Sequence, residues 1–151
     1  MTSSVAIFTG NRADYGLLKY LAIEIRNSPH TELILIVSGT HLSSIYGFTK
    51  SEIMEDNLHI SRCIQLSIDQ NTNLDIPQLA SEVLKGTASA LSELKPDLII
   101  VLGDRYETFA AATAAHLLNV PIAHIHGGET TKGSLDDRLR HSISQLSTWH
   151  F

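Results

Sequence analysis

The eighteen residues HIHGGETTKGSLDDRLRH, from His124 to His141, gather three histidines, three carboxylates and two arginines around a Gly-Gly pair. Carboxylates held in unlike surroundings can supply a general acid and a general base in one cleft. Arginines beside them offset the charge of an anionic substrate. Three further stretches carry the same kinds of residue: TGNRADYG (9–16) with Arg12, SGTHL (38–42) with His41, and GDRYE (103–107) with Asp104 and Arg105. Taken as chemistry alone, the set points to proton transfer or elimination on a phosphorylated or nucleotide-linked substrate.

Each residue also has a plainer reading. Arg12 follows a strand and opens a helix, where a guanidinium beside free N–H groups suits a phosphate. It can equally be a surface arginine paired with Asp14. Asp104 is either a carboxylate aimed into a cleft or the cap of the helix that follows. Arg105 is a diphosphate ligand or a solvated charge. Asp136 and Arg140 stand at i and i+4 and can simply pair, while Ser134, Asp136 and Asp137 compete to cap their helix. One of His124 and His126 is expected to be a buried, hydrogen-bonded ring. A histidine metal site is set aside, because the spacing matches no HExxH-type pattern. The glycine-rich GxGxxG fingerprint is also missing after the first strand, which weakens a dinucleotide reading.

These residues need elements to hold them. SVAIFTG (4–10), ELILIVSG (32–39), PDLIIVLGD (96–104) and VPIAHIHGG (120–128) are apolar runs that read as buried strands. HISRCIQLSI (59–68) reads as a further strand, and TWHF (148–151) as the opening of one more. Helices are expected over 14–27, with Asp14 as N-cap or first-turn acid, and over 76–95, 106–119 and 136–147. A loop with a short helix spans 41–57. Pro77 falls in a first turn, where its missing N–H costs little. Near-continuous apolar strands alternating with helices mean a mainly parallel sheet covered on both faces. The expected fold is therefore α/β, doubly wound and Rossmann-like. In such a fold the four charged stretches share the rim at the carboxyl ends of the strands, where open α/β sheets bind ligands.

Composition narrows the function further. A chain of 151 residues is one domain's length, with 43% hydrophobic and 18% charged residues. A net charge of −5 argues against a nucleic-acid partner. Cys63 is the single cysteine, so no internal disulfide forms. No signal peptide and no run of about 20 apolar residues is found, so a cytoplasmic protein without a membrane partner is expected.

Together, GNRADYGLL, SGTHL, KPDLIIVLGDRYE and HIHGGETTKGSLDDRLRHSISQLSTWHF resemble the hydrolysing UDP-N-acetylglucosamine 2-epimerases. That family makes N-acetylmannosamine for sialic acid synthesis, and its relatives act on bacillosamine-type UDP sugars on the way to legionaminic acid. The resemblance runs in order along essentially the whole chain. It implies the first half of a two-domain GT-B-type fold, with residues 1–151 as the N-terminal Rossmann-like domain and a nucleotide-binding C-terminal domain absent from this chain. It also implies elimination of UDP to a 2-acetamidoglucal, followed by addition of water and release of the free 2-epimer.

By that resemblance Asp104 and Asp136 are catalytic carboxylates. Arg12 and Arg105 match diphosphate contacts, Arg140 matches an active-site arginine, and His41 and His126 are counted as substrate contacts. Some members carry Glu where this chain has His126; that acid/base role falls either to Glu129, the only glutamate of the segment and the favoured one, or to His126. A serine of some members stands at position 16, where Gly16 offers only backbone. No cofactor is implied. The partner is a UDP-sugar, and the full-length protein is expected to be a homo-oligomer, with this chain alone inactive. The rival readings are a non-hydrolysing epimerase, a two-domain glycosyltransferase, and a non-catalytic nucleotide-sugar binding or assembly domain.

Overall fold

The computed structural model describes residues 2–68, 75–128, 130 and 135–151, with Leu135 as backbone only. Its strands are β1 (Ser3–Thr9), β2 (Thr31–Ser38), β3 (Arg62–Ile64), β4 (Leu98–Leu102), β5 (Ile122–Ile125) and β6 (Trp149–His150). The helices are α1 (Arg12–Asn27), α2 (Lys50–Glu55), α3 (Ile76–Leu94), α4 (Tyr106–Leu117) and α5 (Leu135–Leu146). Two short 3-10 turns, Gly39–Leu42 and Ser44–Tyr46, lead from β2 towards α2.

The described strands form one sheet in the order β3-β2-β1-β4-β5-β6. Every pairing is parallel, as the uninterrupted apolar strands require. Alternation along each strand builds two cores. Ala6, Phe8, Ile36, Ile99 and Val101 face one side, where α3, α4 and α5 close over them with Val83, Ala111 and Ile143. Ile7, Leu35, Val37, Ile100 and Leu102 face the other, under Leu18 and Ala22 of α1 and Ile53 of α2. The helix after β1 and the helix after β4 thus lie on opposite faces. The two neighbouring strands part there, and this switch point is where a ligand crevice forms.

The strand expected over 59–68 shrinks to three residues. β3 lies at the sheet edge with β2 as its one partner, and of its residues only Ile64 is buried. Helix α1 starts at Arg12 because Asn11, rather than Asp14, is its N-cap: Asn11 Oδ1 accepts from Asp14 N at 3.0 Å. Asp14 is the first-turn acid. Pro77 sits in the first turn of α3, as expected.

Candidate active site

The ends of β1 and β2 are locked together before any charged group is placed. Gly39 adopts φ +64°, and a Cβ there would lie 2.3 Å from the Gly10 carbonyl oxygen, so a side chain is excluded on both counts. That same carbonyl accepts from Thr40 N at 3.0 Å. His41 follows, fully buried, with Nε2 3.0 Å from Thr9 Oγ1 and Nδ1 2.8 Å from Thr49 Oγ1. Burial pushes its pKa down to about 4, so the ring is neutral near pH 7. The sequence suggested His41 as a substrate contact. The structure places it behind the wall of the crevice, and Thr49 faces the space instead.

The crevice is a cavity of about 670 Å³ at the switch point. Arg12 and Asn11 from the β1 end, Arg105, Tyr106 and Glu107 from the β4 end, and Asp136 from the first turn of α5 line it. Ile68, Ile76, Leu79 and Leu139 give it an apolar wall. Arg12 does not pair with Asp14; it bonds Glu52 of α2 at 2.9 Å and is largely solvent-exposed, which keeps it available to an anion. Arg105 grips Glu107 through Nε and Nη2 at 3.3 and 3.4 Å. Burial works against the Arg105 charge, but Glu107 and Asp14 outweigh it and hold its pKa above the ordinary value.

Asp104 does not cap α4. The N-cap position belongs to Arg105, whose side chain makes no capping bond. Asp104 Oδ2 instead accepts from Arg140 Nη2, an ion pair in which both side chains are mostly buried. Arg140 therefore reaches across from α5 to the β4 turn, which the i, i+4 spacing with Asp136 did not suggest. Asp136 and Asp137 lie in the first turn of α5, where the helix dipole favours negative charge. Glu129 and Ser134 lie outside the described residues.

Of the two strand histidines, His124 is the buried one. Its Nε2 is 2.7 Å from the Gly103 carbonyl, which can only accept, so that nitrogen carries the proton. Burial, chiefly, lowers the ring's pKa. A neutral ring leaves Nδ1 to accept from Ser144 Oγ at 3.1 Å. His124 thereby steadies the turn at Gly103 that delivers Asp104. His126, by contrast, is exposed at φ +61°, with its N–H donated to the Phe151 carbonyl at 2.9 Å.

Asp14 and Glu107 were not singled out from the sequence as site residues. Glu107 is 1% exposed. A signal for it existed: YETFAAATAAHLL is apolar on every side, the mark of a helix covered all round, so a glutamate in its first turn had to be buried. Asp14 is half-buried, and desolvation above all raises its pKa to about 6, with Arg105 opposing and Glu107 and Asp104 adding to the rise.

Comparison with known proteins identifies the family and the fold. A family model described as UDP-N-acetylglucosamine 2-epimerase matches residues 23–151. The polysialic acid biosynthesis protein P7 of Escherichia coli is 38% identical over 142 residues, covering 94% of this chain and 36% of that protein. The UDP-N,N'-diacetylbacillosamine 2-epimerase (hydrolyzing) of Legionella pneumophila is 36% identical over 151 residues, covering 100% and 40%. The crystal structure of UDP-GlcNAc 2-epimerase from Neisseria meningitidis bound to UDP-GlcNAc superposes with a TM-score of 0.84 at 19% identity, covering 99% and 40%; at that identity the likeness is one of fold. The chain thus spans about two fifths of the length of the relatives it matches.

Proposed function

This chain belongs to the UDP-N-acetylglucosamine 2-epimerase family, and from that premise we propose that it forms the sugar-facing half of a hydrolysing 2-epimerase for a UDP-linked 2-acetamido sugar. One observation carries the reading: Arg12, Arg105 and Asp136 line a single strand-end crevice, with the Asp104–Arg140 pair on chain neighbours of its lining residues. Guanidinium groups for a diphosphate and carboxylates for a proton are what the elimination demands. The C2 proton passes to a carboxylate, the C1–O bond to the diphosphate breaks, and the electron pair closes a C1=C2 double bond. Water then places its oxygen on C1 and a proton arrives at the opposite face of C2, freeing the 2-epimeric sugar.

In this scheme Arg140 orients Asp104, Asp136 faces the substrate, and Glu129 is the third acid. Arg12 and Arg105 take up charge on the departing UDP. His126 lies at the strand end where the sugar would rest. The hydrolysing outcome draws support from the Legionella relative, a hydrolysing 2-epimerase by name. The relatives' greater length supports a second domain that carries the uridine side and is needed for turnover. The full-length protein acts as a homo-oligomer in the cytoplasm.

The test is product analysis in deuterium oxide with UDP-N-acetylglucosamine and UDP-N,N'-diacetylbacillosamine. The full-length protein is expected to release UDP and a free sugar bearing deuterium at C2. A UDP-linked epimer as product would make the enzyme non-hydrolysing, and protium at C2 would refute proton abstraction. This chain alone is expected to release no UDP above background.

A further inference from the structure

Asp14 has no part in the reaction as written above, yet it is built into the same cluster. Asn11 Nδ2 donates to Asp14 Oδ2 at 2.5 Å while Asn11 Oδ1 accepts from Asp14 N at 3.0 Å. This reciprocal cap fixes the carboxylate in the first turn of α1. The charged groups that face it come from other elements: Asp104 and Arg105 from the turn after β4, and Glu107 from α4, with the backbone at Gly10 also hydrogen-bonded to it. Glu107 already occupies two nitrogens of Arg105. Arg105 therefore bonds Glu107 directly and acts on Asp14 through space, with Asp104 adding like charge. Asn11, Arg12 and Ala13, just before Asp14, line the crevice.

A diphosphate docking on Arg12 and Arg105 at this helix N-terminus brings negative charge to a place where a carboxylate already stands. Resting on the diphosphate reading of the crevice, we infer that Asp14 is the proton-holding member of that site: it takes up a proton as the nucleotide sugar docks, so that its charge does not oppose the phosphates beside Arg12 and Arg105. The carboxyl is poised for this. Burial, ahead of the opposing Arg105, already brings it to about 6 without a ligand. Added like charge raises it further. No separate base or acid is required, because the proton comes from solvent and returns there when the ligand leaves.

The test uses the full-length protein and UDP-glucose, which keeps the diphosphate, lacks the 2-acetamido group and has no group of its own titrating near neutrality. If docking raises the proton affinity of Asp14 by one unit from about 6, the dissociation constant weakens about fivefold between about pH 6 and pH 8. Asp14→Asn should bind with a constant that is flat over that range and tighter than wild type at the upper end. A readout independent of the variant is the Asp14 carboxyl carbon, followed by NMR in the wild-type protein: its titration midpoint should move upward when UDP-glucose saturates the site. An unmoved midpoint, or the same pH dependence with and without Asp14, overturns the inference while leaving the diphosphate site standing. No binding in either form at any pH removes the diphosphate reading, and this inference with it.

Discussion

His41 and Asp14 lie in the turns that follow the neighbouring strands β2 and β1, and they bend the stability of the fold in opposite directions with pH. The His41 ring has its pKa lowered from 6.5 to about 4, mainly by burial. An unfolded chain takes the proton first, so the stability held by the neutral ring is present above pH 6.5 and is lost as pH falls toward 4; at most it is about 3 kcal/mol. Asp14 is raised from 3.8 to about 6, again mainly by burial. Its contribution is complete below 3.8 and disappears as pH rises through 6, and partial exposure trims it to about 1–2 kcal/mol. The two therefore offset one another in the wild-type chain between about pH 4 and 6.5. Asp14→Asn keeps the helix cap and removes the charge. It should raise stability near neutrality by about 1 kcal/mol and steepen the loss below pH 6. Urea unfolding at several pH values checks this, and a variant less stable than wild type at neutrality would refute the account. A second prediction concerns orientation: Arg140→Lys keeps a positive charge but not the planar fork that holds Asp104. In the full-length protein it should lower kcat about tenfold or more with little change in KM, read from steady-state UDP release.

At the scale of elements, the site is a set of strand ends held by close packing. Gly127 shows how close: a Cβ there would lie 2.6 Å from Ser144 Oγ and 2.7 Å from His124 Nδ1. Gly127→Ala should cost about 1–3 kcal/mol in thermal or urea unfolding. It should also loosen the His124 bond to Gly103, so the Asp104 turn should exchange its amide protons faster. His126 makes the opposite case, since its left-handed backbone strains a side chain. His126→Gly should unfold within about 0.5 kcal/mol of wild type, whereas His126→Val should cost about 1–2 kcal/mol. These contrasts also show what the sequence could carry. β1, β2 and β4 were legible because strands buried on both faces are apolar throughout, and their parallel pairing followed from alternation with helices. The rim positions of Arg12 and Arg105 were legible because charged residues just after such strands have nowhere else to lie. The shortness of β3 was not, since an edge strand has only one partner to extend it. The reach of Arg140 to Asp104 and the bond from His124 to Gly103 join residues 36 and 21 apart. No local pattern encodes them.

For the molecule as a whole, the sheet is closed over on both faces but not along its length. Among the described strands β6 is the last, bonded to β5 on one side. Trp149 of β6 and Phe151 just after it are 49% and 76% exposed. Exposed aromatics next to an unpaired strand edge are a template for association. The 151-residue chain studied alone should cover this edge with a second copy. Trp149 is the single tryptophan, so tryptophan fluorescence, excited selectively over the four tyrosines, reports from this edge and nowhere else. The emission of a dilute sample should be that of a water-exposed indole and should shift to shorter wavelength as concentration rises, in step with a growing mass in sedimentation. Phe151→Lys places a charge on the edge and should suppress both changes while leaving the far-ultraviolet circular dichroism unaltered. Emission and mass that stay constant across concentrations in the unsubstituted chain would show that β6 is protected by itself.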